Sequence, residues 1–86
     1  SRSVPAELDG SAAELFQRLR TVRARTARMQ GVPAYVVFTD KTLREMALTR
    51  PHTIAEFRAV SGVGDAKAGR YGKTFLAEIE SFEREN

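Results

Sequence analysis

Five arginines, Arg18, Arg20, Arg23, Arg25 and Arg28, fall between Leu15 and Thr39 with no acid among them. Guanidinium groups meet phosphate oxygens through pairs of parallel hydrogen bonds, so such a run points to anion binding. The competing reading is a solvated helix surface, since arginine is also a good helix former. A second cationic set, Lys67, Arg70 and Lys73, follows Gly62-Val63-Gly64. Amides at the start of a helix after such a turn can hold a phosphate. The alternative is a tight turn with no ligand, and Asp65 beside those amides would compete with an anion. Catalytic chemistry has little to work with. The single histidine, His52, has no patterned ligand partners and reads as a surface residue, and there is no cysteine. No complete Gly-rich loop of the ATP-binding type is present, so an ATPase would have to lie elsewhere in a parent chain. Most carboxylates cap helices or lie on the last helix, and no acid pair has an apolar setting suited to general acid–base work. No metal, cofactor or active site is expected.

Eighty-six residues, 42% hydrophobic and 29% charged, suit one soluble domain with a small core. No apolar run approaches the roughly 20 residues that cross a membrane, and the polar start Ser1-Arg2-Ser3-Val4-Pro5 does not read as a signal peptide. The lack of an initiator Met points to a processed chain or an excised domain. The absence of cysteine fits a reducing compartment. The net charge of +3 is modest but unevenly spread: Glu78, Glu80, Glu83 and Glu85 face only Arg84 between Thr74 and the C-terminus. One region should attract anions and another repel them.

The elements follow from periodicity and caps. Residues 1–10 read as an irregular lead-in, and 11–86 as one helical domain. Ser11-Ala12-Ala13-Glu14 reads as a capping box opening a first helix. Its apolar face is Ala12, Leu15, Phe16, Leu19, Val22, Thr26 and Met29. Arg23 projects between Phe16 and Leu19, so its stem should be buried and its head paired with Asp40 or with carbonyls. Gly31 should end this helix in the left-handed conformation, with Val32 packing back. The stretch Pro33 to Phe38 has strand-forming composition but no strand partner, so it reads as a helical turn wedged between helices. Val36, Val37 and Phe38 would be the centre of the core, with the Tyr35 hydroxyl needing water or a partner. Thr39 or Asp40 then caps a helix with Leu43, Met46 and Ala47 inward, stopped by Pro51. Thr53-Ile54-Ala55-Glu56 opens another, with Ile54, Phe57 and Val60 inward. Ser61 to Asp65 makes a tight turn, with Asp65 as a cap, into a last helix burying Ala68, Tyr71, Gly72, Phe75, Ile79 and Phe82. Gly72 inside that helix implies another helix close by.

These residues resemble an HRDC domain, the C-terminal domain of helicases and RNase D. The resemblance rests on Leu15-Phe16, Leu19-Arg20, Arg23, the whole of Val32 to Leu43, Met46-Ala47, Pro51, Phe57, Val60, Gly62-Val63-Gly64, Lys67, Tyr71-Gly72 and Phe75-Leu76. It covers about residues 14 to 80 and is most like the form found in bacterial RecQ helicases. It implies an all-α, compact five-helix bundle in which Gly62-Val63-Gly64 resembles a helix-hairpin-helix turn before the last helix. It also implies a non-catalytic auxiliary module of a DNA helicase, cytoplasmic and nucleoid-associated, that tunes which DNA the motor engages.

The implied nucleic-acid-binding residues are Arg20, Arg25, Arg28, Tyr35, Thr39, Lys41, Lys67, Arg70 and Lys73. In the related bacterial domains the surface around Tyr35 contacts single strands, and a tyrosine there can stack on an unpaired base. The alternative is a core aromatic with a wet hydroxyl. No recognition-helix pattern of Asn or Gln is visible, so weak electrostatic docking is expected rather than base readout. The expected partner is single-stranded or structured DNA, and the chain is expected to be a monomer. Two rival readings stay open: a module docking on its own helicase core or on a partner protein, for which the acidic last turn suits a basic surface, and the HRDC domain of an RNase D-like exonuclease.

Overall fold

The computed structural model describes residues 9–85, and the proposed lead-in falls largely outside them. Those residues form five helices and no strand: α1 (Gly10–Gln30), α2 (Ala34–Val37), α3 (Asp40–Thr49), α4 (Ile54–Arg58) and α5 (Gly64–Glu85). The two long helices run antiparallel. Arg18, early in α1, bonds Glu78 and Glu85 late in α5, while Gln30 at the end of α1 accepts from the Tyr71 hydroxyl early in α5 at 2.8 Å.

Phe38 is the hub. It is 1% exposed, and the rings of Phe57, Tyr71 and Phe75 meet it nearly edge-on, with centroids 5.9, 5.5 and 5.1 Å away. Edge-to-face contacts of this kind add about 0.5–1.5 kcal/mol each beyond area burial. The stretch around it is a helical turn, as its lack of a strand partner predicts: Pro33 caps α2, and Phe38 then runs extended into α3. Val37 is fully buried, but Val36 is 40% exposed, contrary to expectation. With only one turn against the bundle, α2 presents Val37 inward, and its neighbours Tyr35 and Val36 face out.

Three other expectations need correction. Met29, placed on the buried face, is exposed because that face follows the i, i+4 row through Leu15, Leu19, Arg23 and Ala27. The cap of α1 is Asp9, whose carboxylate accepts from the Ala12 amide at 2.9 Å; Ser11 instead bonds the Arg50 guanidinium. Ile54 is 44% exposed, although its tip lies over Gly72.

Apart from Asp65, the other caps follow the sequence. Gly31 is left-handed (φ 69°), with the Val32 amide bonded to the Ala27 carbonyl at 3.0 Å. Thr39 accepts from the Thr42 amide, and Thr53 from the Glu56 amide. Asp65 lies in the first turn of α5 and pairs with Arg58 at 3.4 Å, not as a cap. A Cβ on Gly72 would come within 2.6 Å of Ile54 Cδ1, which is the close helix contact expected there.

Candidate nucleic-acid interface

Tyr35 owes its position to two neighbours. Pro33 starts α2 with a fixed φ, and Phe38 anchors its far end in the core. The ring between them is 68% exposed, and among the described residues its hydroxyl has no hydrogen-bond partner. Arg23 fixes the turn from below. Its Nη1 donates to the Phe38 carbonyl at 2.9 Å and its Nη2 pairs with Asp40 at 2.8 Å, while its own residue is 7% exposed. The buried guanidinium and its two predicted partners are therefore found. One atom, Arg23 Nε, is buried without a partner.

The arginines divide by function. Arg18 bonds Glu78 and Glu85 at 2.6 and 2.7 Å, which hold its proton more tightly than usual and push the Glu85 carboxyl below the ordinary range. Arg23 is structural. Arg20, Arg25 and Arg28 remain exposed, and among the described residues none meets a carboxylate within 4 Å. Arg20 shares a shallow groove with Gln17, Thr21, Arg23, Ala24 and Ala34, which brings it to the foot of α2. Thr39 and Lys41 follow directly on the α3 side, both exposed.

The cations of α5 are not all brought to this face. The Lys67 ammonium lies 5.6 Å from the centre of the Phe38 ring, beside the α2–α3 connection. Arg70 is exposed. Lys73 lines a different groove, between α4 and α5, with His52, Ile54, Leu76, Ala77 and Glu80. Gly72-Lys73-Thr74 lies in the middle of α5 and forms no phosphate-binding loop. At the Gly62-Val63-Gly64 turn both glycines have positive φ, and the Thr42 hydroxyl, which donates to the Ser61 carbonyl at 3.0 Å, packs against Gly62. The Asp65 carboxylate lies in the same first turn of α5, where it opposes an anion.

Sequence reasoning missed Arg44. It projects from α3 to the ring of Phe16 on α1, a contact between helices that no spacing along the chain reveals. No group of three or more His, Cys, Asp or Glu side chains among the described residues is placed to hold a metal.

The family model of the HRDC domain matches residues 12–79. The chain belongs to the HRDC domain family. It is 48% identical over 71 residues to the ATP-dependent DNA helicase RecQ of Bacillus subtilis, a match that covers 83% of this chain and 12% of that protein. It is 44% identical over 63 residues to the ATP-dependent DNA helicase UvrD2 of Mycobacterium tuberculosis, covering 73% of this chain and 9% of the relative. The solved HRDC domain 3 of D. radiodurans RecQ superimposes with a TM-score of 0.79 at 36% identity, covering 81% of this chain and 92% of that one. The chain thus spans about a tenth of the length of these two helicases, and its fold is that of the solved HRDC domain. Among the described residues no helix is long and apolar enough to cross a membrane.

Proposed function

We propose that this HRDC domain is a non-catalytic auxiliary module of a RecQ-type DNA helicase, and that it binds single-stranded DNA weakly through phosphates and one stacked base. The observation that carries the reading is Tyr35, an aromatic ring two-thirds exposed on a turn whose ends are locked. Cations that meet no carboxylate within 4 Å among the described residues lie on the adjoining elements: Arg20 at the foot of α2, Lys41 on α3 and Lys67 beside Phe38. Stacking platforms flanked by cations hold single strands without reading sequence. Arg25 and Arg28 extend the field along α1. In the parent helicase such a contact would bias which DNA structures the motor engages.

The docking alternative drew on the acidic end of α5, and three of its four glutamates have partners within the domain. Glu78 and Glu85 hold Arg18, and Glu83 holds His52 at 2.7 Å. That leaves less negative charge for a basic protein surface than the sequence implied.

The test is a fluorescence-anisotropy titration of a labelled oligothymidylate against the 86-residue chain at several salt concentrations. With about three phosphates contacted, the log–log salt slope is about −2. A chain that fails to bind at about 50 mM salt, but binds its helicase core in trans, would make it a docking module.

A further inference from the structure

The rings and charges at the junction of α1 and α3 form a cluster that the binding surface around Tyr35 does not yet include. Phe16 is only partly buried, and two guanidinium groups from different helices lie against its ring, Arg20 from α1 and Arg44 from α3, each 5.8 Å from the centroid. The two are therefore no more than about 12 Å apart. Asp40 faces the same place: the Arg23 hydrogen bond, with smaller contributions from Arg20 and Arg44, holds its carboxyl below the ordinary range. Its one direct partner is Arg23, so the carboxylate leaves Arg20 and Arg44 without an ion pair within 4 Å among the described residues. Lys41 lines the adjoining surface with Arg44, Glu45, Leu48 and Thr49. The other acid there, Glu45, reaches toward the Ser61 amide. The cluster keeps an excess of positive charge on ordered side chains, since ring stacking holds both guanidiniums near one position.

We propose that Arg44, together with Arg20 on the same Phe16 ring, is a phosphate-binding pair that takes the DNA strand along α1 and α3 after it leaves Tyr35, away from Lys73 in the α4–α5 groove. The proposal rests on the single-strand reading above and gives the strand a path. Two guanidiniums no more than about 12 Å apart can reach neighbouring phosphodiesters of one strand, and a planar guanidinium binds phosphate bidentately. The opposite route, over the Gly62–Gly64 turn to Lys73, would pass the Asp65 carboxylate and then the α4–α5 groove holding Glu80.

The experiment is the same oligothymidylate titration with Arg44→Gln, Arg44→Lys, Lys73→Gln and Tyr35→Ala, each checked for fold by circular dichroism. Arg44→Gln should weaken binding roughly two- to five-fold, the range of one exposed charge pair. It should also make the salt slope shallower by about 0.7, the value of one phosphate on a single strand. Arg44→Lys should keep the slope, and Lys73→Gln should leave both quantities at wild-type values. If Tyr35→Ala weakens binding while Arg44→Gln matches wild type in affinity and slope, the path is wrong and the single-strand reading survives. A larger loss from Lys73→Gln than from Arg44→Gln overturns the path in favour of α5. If the wild-type chain does not bind, the single-strand reading itself falls.

Discussion

Replacing Tyr35 with alanine separates the two roles an aromatic can have. In the free domain the residue is 68% exposed, so about a third of its surface is lost from packing on truncation. An aromatic buries about 150–250 Å² when fully enclosed, and a third of that at about 25 cal/mol per Å² gives an upper limit near 1–2 kcal/mol. Part of the covered surface is α2 backbone, which alanine keeps, so the stability cost should be about 1 kcal/mol or less. That corresponds to a drop of roughly 4–8 °C at most in a domain of this size. Removing a stacked base platform should cost about 1–3 kcal/mol of binding, a roughly 5- to 150-fold loss of affinity. The thermal melt and the anisotropy titration on one preparation therefore diverge: a small fall in Tm, and a large fall in affinity. A chain that keeps its affinity for the oligothymidylate after Tyr35→Ala would refute the stacking argument. A chain that loses 3 kcal/mol or more of stability would make Tyr35 a core residue, as Phe38 is.

Two further outcomes follow from the glycines and from Asp40. Gly69 lies in mid-helix with nothing within 4 Å of a Cβ, so Gly69→Ala should stabilise by about 0.5–1 kcal/mol, read as a raised Tm. Gly62→Ala should do the reverse, because φ is 91° there and the new Cβ would run into the Thr42 hydroxyl, which is bonded to Ser61; a Tm equal to wild type would discount that contact. The Asp40 carboxyl titrates lower in the folded chain than its usual 3.8, through the Arg23 bond and then the Arg20 and Arg44 charges. Its contribution to stability is therefore complete above the unfolded value and fades as pH falls through the folded one. Melts of wild type and Asp40→Asn should differ at neutral pH and begin to converge as pH falls below about 3.8; a gap that stays constant to pH 2 would remove Asp40 from the acid sensitivity of the fold.

The helices are legible along the chain, because their signals are local. Caps at Thr39 and Thr53, the left-handed Gly31, the stop at Pro51 and the apolar rows of α1 and α5 all act within a few residues. The central turn follows by elimination, since a lone strand has no partner, and Arg23 pairs with Asp40 because an arginine on an apolar face must find an acceptor. The family motifs around Tyr35 are likewise contiguous in the chain. Which cations have acid partners depends instead on how the helices pack. Glu78 and Glu85 lie about 60 residues or more from Arg18 and reach it because α1 and α5 are antiparallel. Packing likewise sets Lys73 in the α4–α5 groove and brings Arg20 and Arg44 to one Phe16 ring. The exposure of Val36, Met29 and Ile54 also belongs to packing. Periodicity states which residues share a face, while the length and placement of the opposing helix decide how much of that face is covered.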